Sequence, residues 1–353
     1  MIGTDVRNYN GQTFRARMLS RVFQELYDAR IFFCYSDRDK IPPEMGMAEN
    51  KYSRRFNKRL FSKFPFFLNL LLDKDKYDVI YICGEFKTFP FYLLIARIKG
   101  IKIVFEAESI LSKESEDSGC SALLLASNRV LERFVARNSD HFVALSQDIQ
   151  EFYSSHNDRI SVINAILNEI WFENIREDIS PQGKKKVGLI GPFTNARNNS
   201  ELTFVLDSLD RFDSNVEFHI FGKCDRELPK DSKLVYIGFI QDYSEYRMRL
   251  AEMDMVLVPS SIATYGPLTK ILEPMACGVP VFTTPAGFFG LDNIEKDQDI
   301  FVFDRDVLVE QFNSNLVKID KLNDLRMSGR TKVAKYYSYE YNKNKLSSII
   351  SKI

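Results

Sequence analysis

Short apolar runs alternate along the chain with longer stretches that have helical spacing. The runs are rich in β-branched and aromatic residues, and most are apolar throughout rather than alternately apolar and polar. Such runs are typical of parallel strands that are buried on both faces. In the first half of the chain the predicted strands are 30–35, 78–83, 101–106, 141–145 and 159–163. The predicted helices between them include 89–99 and 122–138. This alternation predicts a doubly wound parallel sheet.

A polar stretch at 174–186, with Ser180-Pro181-Gln182-Gly183 at its centre, interrupts the pattern and predicts a linker. The pattern then resumes with the predicted strands 187–190, 216–221, 234–237, 255–258, 279–283 and 300–303. The predicted helices of this half are 199–211, 243–253 and 269–277. We therefore predict an α/β protein with two Rossmann-like, doubly wound parallel-sheet domains, residues 1–178 and 184–334, that face a cleft. A last helix over 335–353 could pack back on the first domain.

The charges of the chain balance, with 48 lysine and arginine residues against 48 aspartate and glutamate residues in 353. No global field attracts nucleic acid, and we expect no nucleic-acid partner. The five cysteines form no CxxC pair, the first residues lack an apolar secretion signal, and no uncharged apolar run is long enough to span a membrane. These features predict a cytoplasmic protein with reduced thiols. The three histidines are not spaced i, i+4, which argues against a metal site.

The segment 254–292 carries the most specific chemistry, because it reads as strand, Pro-Ser loop, glycine-containing turn, helix and second strand. A helix that begins after a turn at Gly266 presents backbone N–H groups and a positive dipole end, which suit a diphosphate. Lys270 in the first helical turn could add a charge-assisted contact to phosphate oxygens. Glu273 could accept two hydrogen bonds from a vicinal diol such as ribose. An acidic residue near a helix start is, however, often only a partner of the dipole.

The run Leu272-Glu273-Pro274-Met275-Ala276-Cys277-Gly278-Val279-Pro280-Val281 resembles the nucleotide-sugar-binding signature of glycosyltransferase family 4. That family has two glutamates with seven residues between them, the second within a Leu-Glu-x-Met-Ala-x-Gly-x-Pro-Val run. The resemblance implies the two-domain GT-B fold and implies that Glu273 contacts the ribose of a UDP- or GDP-linked sugar. Tyr265 occupies the position of the first glutamate, which in the family contacts the donor sugar or supports developing charge. Tyr265 is therefore a catalytic candidate, and its presence leaves donor identity and activity open.

The resemblance extends over nearly the whole chain and implies further donor contacts. The implied donor-binding residues are Gly11, Gln12, Arg197, Gly266, Pro267, Leu268, Thr269, Lys270 and Glu273. The implied pocket for the nucleotide base consists of Gly222, Lys223 and Phe239. Arg197 is the cation nearest the loop after strand 187–190, and it is either a diphosphate ligand or a solvated loop charge.

In the first domain, Glu108 occupies the position after strand 101–106 where the family commonly has a histidine. A glutamate there could hydrogen-bond a sugar hydroxyl or take the acceptor proton, so Glu108 is the second catalytic candidate. The alternative is a surface carboxylate that follows a strand. Gly11 and Gln12 correspond to the glycine-containing loop that lets the donor phosphate approach the backbone.

The segment 51–68 interleaves lysines and arginines with aromatic residues and ends in an apolar run. It could lie on the anionic inner face of a membrane and bring the protein to a lipid-linked acceptor. It could equally be a surface helix whose aromatic face packs on the sheet while its cations remain in water. The sequence favours the second interpretation.

The resemblance implies a retaining, metal-independent glycosyltransferase without a cofactor. The enzyme would move a sugar from a nucleotide-sugar donor to a glycan or lipid-linked acceptor in polysaccharide or glycoconjugate biosynthesis. A helix dipole and cations would stabilise the departing nucleoside diphosphate in place of a divalent ion. Two alternatives remain: a catalytically inactive nucleotide-sugar-binding homologue or partner subunit, and a nucleotide-sugar epimerase, which would need more acid and base groups than this chain offers.

Overall fold

The computed structural model describes residues 2–3, 11–33, 64–173 and 183–353. The chain forms two compact units, of which the first comprises Met1–Ile166 with Asn342–Ile353 and the second comprises Leu167–Tyr341. Residues 174–182 of the predicted linker lie outside the described residues, as does the basic segment up to residue 63. Lys185 and Lys186, at the end of the predicted linker, already belong to a strand of the second unit.

The first unit is built on a parallel sheet. Its described strands are β1 (Ile2–Gly3), β2 (Phe32–Phe33), β3 (Val79–Cys83), β4 (Lys102–Ala107), β5 (His141–Ala144) and β6 (Ile160–Val162). They lie in the order β2-β1-β3-β4-β5-β6, and every described pairing is parallel. The order changes direction between β1 and β3, so the carboxyl ends of these two strands flank a topological switch point.

Helices cover both faces of this sheet. The described helices are α1 (Gly11–Leu26), α2 (Phe64–Leu72), α3 (Phe89–Lys99), α4 (Leu111–Asp117), α5 (Ala122–Asn138) and α6 (Gln147–Ser154). The connection from β1 to β2 crosses the sheet in one direction, and the connections from β3 to β4 and from β4 to β5 cross it in the opposite direction. Because such crossovers are right-handed, α1 lies on one face of the sheet while α3 and α5 lie on the other.

The second unit has a parallel sheet with the Rossmann strand order. Its described strands are β7 (Lys185–Ile190), β8 (Val216–Phe221), β9 (Leu234–Gly238), β10 (Met255–Val258), β11 (Val281–Thr283) and β12 (Phe301–Val302). The order β12-β11-β10-β7-β8-β9 corresponds to two halves that diverge from β7 and β10. The switch point of this sheet therefore lies at the carboxyl ends of β7 and β10.

The remaining helices belong to this second half of the chain. They are α7 (Ala196–Asp207), α8 (Tyr243–Ala251), α9 (Thr269–Ala276), α10 (Pro285–Phe288), α11 (Leu308–Leu316), α12 (Ile319–Tyr337) and α13 (Tyr339–Ile350). Short 3₁₀ helices occur at Phe86–Thr88, Glu169–Phe172 and Leu209–Arg211. A core of buried residues from β7, β8, β10, β11 and the flanking helices includes Val187, Phe218, Leu257 and Phe282. Among the described helices, none has the length and apolarity that crossing a lipid bilayer requires.

The structure confirms the predicted α/β class with two parallel-sheet units and shifts several element ends. The predicted helix 199–211 begins at Ala196, because the Asn195 side chain caps it by accepting a hydrogen bond from the Asn198 amide at 2.9 Å. The predicted strand 279–283 begins only at Val281, since Gly278 has a left-handed φ of 75° and Pro280 has no N–H to donate. The helices predicted at 89–99 and 122–138 have the predicted bounds.

Candidate functional site

The candidate donor residues of the second unit gather at the carboxyl edge of its sheet. The chain leaves β7 at Gly191 and enters α7, and it leaves β10 at Pro259 and enters α9 after a turn at Gly266–Leu268. Because β7 and β10 are neighbours at the switch point, both helix starts lie at the same edge. This is the position at which open parallel sheets bind ligands.

A buried polar network joins the first two turns of α7 to the first turn of α9. The Lys270 ammonium donates to Glu201 Oε2 at 2.5 Å and to Asn198 Oδ1 at 3.0 Å. Ser260, which follows β10, donates to Glu201 Oε1 at 2.5 Å. All four side chains are buried. An ammonium group has three donors, so one N–H of Lys270 is not used by these two contacts.

The environment of Lys270 disfavours its charged form. Burial lowers the pKa of Lys270, the Glu201 carboxylate opposes that shift, and the positive charge of Arg197 adds to it. Arg197 lies in the first turn of α7, with its Nε buried and without a hydrogen-bond partner among the described residues. Because Glu201 balances the charge of Lys270, the guanidinium of Arg197 supplies the net positive charge of this cluster, and that charge suits an anionic ligand.

The turn that precedes α9 is held in a tight backbone arrangement. Tyr265 has a left-handed φ of 56°, which is rare for a residue with a side chain, and its ring packs edge-on against Phe289 at 5.0 Å. Thr264 Oγ1 donates to the Gly266 carbonyl at 2.7 Å. Gly290 packs directly under the turn, since a Cβ at that position would lie 2.9 Å from the carbonyl carbon of Gly266. The N-cap residue of α9, Leu268, makes no side-chain cap, so the first amides of the helix depend on another acceptor.

Glu273 lies one turn into α9 and is buried. The hydroxyl of Tyr246 donates to its Oε2 at 3.4 Å. Burial raises the pKa of Glu273 to about 8, and the Tyr246 hydrogen bond opposes the shift only in part. The carboxyl group of Glu273 is therefore largely protonated at neutral pH, and a ligand that supplied further hydrogen bonds would favour its ionised form.

The predicted base-pocket residues lie together beyond the ends of β8 and β9. Gly222 has a φ of 117°, and a Cβ there would lie 1.9 Å from the Gly191 carbonyl oxygen, so only glycine fits. The amide of Gly222 donates to the Gly238 carbonyl at 2.8 Å. Lys223 Nζ lies 5.4 Å from the centre of the exposed Phe239 ring. The structure thus brings Gly222, Lys223 and Phe239 into one cluster.

Glu108 in the first unit follows β4 and is buried rather than exposed. Its carboxyl lies against the end of β3, because a Cβ at Gly84 would be 3.2 Å from Glu108 Oε2. Its Oε1 is buried without a hydrogen-bond partner among the described residues. Burial, followed by the negative charge of Glu106, raises the pKa of Glu108 to about 8. Glu108 therefore carries a buried, largely protonated carboxyl at the carboxyl edge of the first sheet.

A second buried charge lies two residues earlier on β4. Glu106 is fully buried and accepts two hydrogen bonds of 2.8 Å from Arg15 Nε and Nη2 and one of 2.5 Å from the Tyr81 hydroxyl. Arg15 also donates to the carbonyl of Asn164 at 2.5 Å. Because every oxygen of Glu106 is matched by a donor, this group is a paired buried charge that fixes α1 against β3 and β4.

The sequence prediction named part of this site and missed its supporting residues. Gly11 is the first residue of α1, and the side chain of Gln12 lies outside the described residues. Glu201, Tyr246 and Arg15 were not predicted. The signal for Glu201 is its spacing of three residues from Asn198, which puts both on one face of a helix that follows a glycine-containing loop. Within the described ranges, no group of three or more His, Cys, Asp or Glu side chains is arranged to hold a metal ion.

Two models of protein families match the chain. Residues 184–319 match the family described as glycosyl transferases group 1, and residues 9–165 match Glycosyltransferase Family 4. No sequence among the curated proteins matches the chain significantly. The family matches together cover most of both units.

Solved structures resemble the chain along its length. HepE of Anabaena, crystallised in complex with UDP, has a TM-score of 0.73 at 16% identity, over 100% of this chain and 99% of its own. The sucrose-phosphate synthase of Thermosynechococcus elongatus has a TM-score of 0.71 at 14% identity, over 96% of this chain and 92% of its own. The lipopolysaccharide outer core galactosyltransferase WaaB, in its apo form, has a TM-score of 0.68 at 15% identity, over 100% of this chain and 99% of its own. At such low identity this likeness concerns the fold.

Proposed function

Because the chain belongs to the group 1 and family 4 glycosyltransferases and shares their GT-B fold, we propose that it is a retaining transferase that moves a sugar from a nucleotide-sugar donor to a glycan or lipid-linked acceptor. One observation carries the proposal. The start of α9, with Lys270 and then Glu273, lies beside the start of α7 at the switch point of the second sheet.

The donor diphosphate binds at the start of α9. The turn Gly266–Leu268 and the amides of Thr269 and Lys270 supply backbone donors, and the helix dipole favours negative charge there. The third N–H of the Lys270 ammonium and the guanidinium of Arg197 add charge-assisted contacts. These groups stabilise the nucleoside diphosphate as it departs, so we propose that the reaction needs no divalent ion.

The ribose of the donor binds Glu273. Its buried carboxyl has one long hydrogen bond, from Tyr246 at 3.4 Å. Two hydroxyls of a vicinal diol would satisfy both carboxylate oxygens and compensate for the burial of the charge. The nucleotide base then lies near Lys223 and the exposed ring of Phe239, a surface that suits a flat aromatic group.

Glu108 acts on the acceptor side of the reaction. A carboxyl group that holds its proton at neutral pH is suited to donate a hydrogen bond to a sugar hydroxyl rather than to serve as a strong base. In that case the departing phosphate oxygen of the donor takes the proton of the acceptor hydroxyl. This route reduces the demand for a basic side chain in the site.

A catalytically inactive nucleotide-sugar-binding protein is the second candidate, and one observation favours it. Tyr265 stands where the family has its first glutamate, and its ring packs against Phe289. A tyrosine in this position supplies no carboxylate for the donor sugar. Such a protein would bind the donor without turnover.

A two-step experiment tests the proposal with the full chain. A thermal-shift screen against UDP- and GDP-sugars is expected to find a donor that raises Tm, since a ligand that binds only the native state stabilises it. Glu273→Ala should abolish the shift, whereas Glu295→Ala, which removes an exposed carboxylate of the same unit, should retain it. Release of nucleoside diphosphate is then measured with the selected donor, and Glu108→Ala, which removes the proposed hydrogen-bond donor, should lower that rate more than donor affinity.

Three outcomes separate the possibilities. If no nucleotide sugar stabilises the protein, the proposal is wrong. If a donor binds but no nucleoside diphosphate is released with any acceptor, the inactive homologue is supported. If the sugar is interconverted without an acceptor, the protein is an epimerase.

A further inference from the structure

The indole ring of Trp171 packs against two tyrosines of α8. Trp171 lies in the 3₁₀ helix Glu169–Phe172 and is fully buried. Its ring meets that of Tyr246 edge-on at 5.6 Å and that of Tyr243 at 6.0 Å, and the Tyr246 ring also contacts Phe221, the last residue of β8, at 6.1 Å. Trp171 Nε1 has no hydrogen-bond partner among the described residues, so the indole holds Tyr246 through its ring.

Two arginines hold this 3₁₀ helix against α8 and α9. Arg247 of α8 donates to the carbonyl of Glu173 at 2.7 Å. Arg330 of α12 donates to the carbonyl of Phe172 at 2.6 Å and to that of Ala276, the last residue of α9, at 2.9 Å. The 3₁₀ helix is therefore fixed to both helices by hydrogen bonds that do not involve its tryptophan side chain.

The hydroxyl of Tyr246 is directed at the buried carboxyl of Glu273. The hydrogen bond to Glu273 Oε2 is 3.4 Å long, which is at the upper end of the normal range. A carboxylate accepts more strongly than a neutral carboxyl, so this bond should shorten when Glu273 ionises. Because each carboxylate oxygen has two lone pairs, Oε2 can accept from Tyr246 and from a ribose hydroxyl at the same time.

We infer that Tyr246 is a positioning residue for the carboxylate of Glu273 in donor binding, and that Trp171 holds the Tyr246 ring in place. The inference rests on the proposed binding of the donor ribose by Glu273. A diol needs both carboxylate oxygens in one orientation, whereas a glutamate side chain has several rotatable bonds whose ordering opposes binding. The Tyr246 hydroxyl selects that orientation in advance and stabilises the charge once it forms.

Tyr246→Phe tests the hydroxyl, because it keeps the ring and its contact with Trp171. We expect calorimetry to show donor affinity lowered about tenfold near neutral pH, as for the loss of a hydrogen bond to a charged group. Loss of this bond should also raise the pKa of Glu273 above about 8, so the pH at which affinity levels off should rise. Tyr77→Phe is the matched control. It removes a hydroxyl that donates to Asp73 at 2.7 Å in the first unit, and it should leave donor affinity and its pH dependence unchanged.

A double-mutant cycle tests the role of Trp171. Trp171→Leu should lower donor affinity to a similar extent as Tyr246→Phe, whereas Trp171→Phe keeps an aromatic ring and should weaken binding less. Adding Trp171→Leu to Tyr246→Phe should lower the affinity little further, because the indole acts through the hydroxyl that is already absent. Additive losses would show that Trp171 does not act through Tyr246 and would overturn that part of the inference.

Several titratable or charged side chains belong to the elements packed around Glu273 and Tyr246. Burial raises the pKa of Cys277 to about 12 and that of Tyr246 well above its ordinary value. Guanidinium groups stay charged throughout. The surrounding side chains are Tyr243 and Arg247 of α8, Cys277 after α9, and Arg326 and Arg330 of α12, with Glu169 and Glu173 exposed at the ends of the 3₁₀ helix. A transition that Glu273→Gln removes is therefore assigned to Glu273.

A titration without donor separates this inference from the proposed function. Trp171 is the only tryptophan of the chain, so selectively excited emission reports on the surroundings of Tyr246. The emission of the wild type should change near pH 8, that of Glu273→Gln should not, and that of Tyr246→Phe should change at a higher pH.

The two measurements give distinct outcomes. An emission midpoint in Tyr246→Phe equal to that of the wild type would overturn the inference, whether or not a donor binds. Wild-type donor affinity and pH dependence in Tyr246→Phe would also overturn it and would leave the proposed function intact. A shifted emission midpoint in a protein that no nucleotide sugar stabilises would support the coupling of Tyr246 to Glu273 and would contradict the proposed function alone.

Discussion

Lys270 Nζ lies 2.5 Å from Glu201 Oε2, although the two residues are far apart in sequence and both side chains are nearly inaccessible to solvent. The pair joins α7 to α9. Glu201→Gln should leave the Lys270 ammonium buried without its counter-charge, which typically costs about 3–5 kcal/mol of folding stability. Urea unfolding followed by circular dichroism measures the change.

A surface pair provides the control for this substitution. Arg211 contacts Glu310 at 2.6 Å, with both side chains exposed, so solvent and salt screen the interaction. Glu310→Gln should leave the unfolding midpoint unchanged. Similar midpoints for Glu201→Gln and the wild type would show that Lys270 loses its proton readily and that the network does not depend on its charge.

The sequence predicts the fold well because the strands are apolar throughout. A run such as β10, whose four residues are all apolar and buried, has a pattern that a surface strand or an amphipathic helix does not share. The bounds of α5 also follow from local signals, since Ser121 caps its start. The outer ends of short strands such as β12 depend on tertiary pairing, which the local pattern does not contain.

The candidate site is predictable only in part, because some of its contacts also depend on tertiary pairing that the local pattern does not contain. Gly266, Lys270 and Glu273 lie within one motif, so local spacing brings them together. The residues that hydrogen-bond to the site residues lie elsewhere in the sequence. Glu201 lies 69 residues from Lys270, and Arg15 lies 91 residues from Glu106, and such contacts arise only when the strand order is known. The burial of Glu108 depends likewise on the neighbouring end of β3 at Gly84.

Glu273 makes the affinity for a nucleotide sugar depend on pH. In the free protein the pKa of Glu273 is about 8, and hydrogen bonds from a ribose diol favour the ionised form, so its pKa falls in the complex. Donor binding therefore releases a proton at neutral pH. Affinity should rise with pH, by at most about tenfold per unit, and level off above the free pKa. Calorimetry in buffers of different ionisation enthalpy measures the released proton directly.

Glu273→Gln is the matched variant, because it keeps the shape of the side chain and cannot ionise. Its donor affinity should be lower than that of the wild type and independent of pH over the same range. A wild-type affinity that does not change between about pH 6 and pH 9 would remove the ionisation of Glu273 from donor binding.

Glu108 should make the stability of the protein fall as pH rises. Its carboxyl ionises near the ordinary value of 4.5 in the unfolded chain, whereas burial and Glu106 raise its pKa to about 8 in the folded protein. Between these values the folded state binds the additional proton. The contribution is complete below the unfolded pKa and is lost as pH rises through the folded pKa, at up to about 1.4 kcal/mol per pH unit.

Glu108→Gln mimics the protonated carboxyl and should therefore remove the contribution of Glu108 to the fall of folding stability with pH. We expect the variant to lose less stability than the wild type when urea unfolding is repeated from about pH 5 to pH 8. Parallel stability profiles for the two proteins would indicate that Glu108 is ionised in the folded state, and the hydrogen-bond donor role that we propose for it would then be untenable.

Gly290 controls the turn at which the diphosphate is proposed to bind. It has a left-handed φ of 77°, and a Cβ there would lie 2.9 Å from the carbonyl carbon of Gly266 and 3.1 Å from the nitrogen of Pro267. Gly290→Ala therefore adds a steric conflict with the turn to the backbone strain. We expect it to lower donor affinity at least about tenfold, since the displaced backbone amides no longer point at the phosphates.

Gly100→Ala separates the effect of backbone strain from the effect of a steric conflict with the turn. Gly100 ends α3 with a φ of 70°, and a Cβ there would meet nothing within 4 Å, so the substitution imposes backbone strain alone, about 1–2 kcal/mol. Gly290→Ala should destabilise the protein more than Gly100→Ala does, and only Gly290→Ala should weaken donor binding. Because a loss of folded protein would lower the amount bound rather than the affinity, calorimetry of both variants distinguishes displacement of the turn from partial unfolding. Wild-type affinity in a folded Gly290→Ala protein would mean that the backbone at Gly266 and Pro267 does not contact the donor.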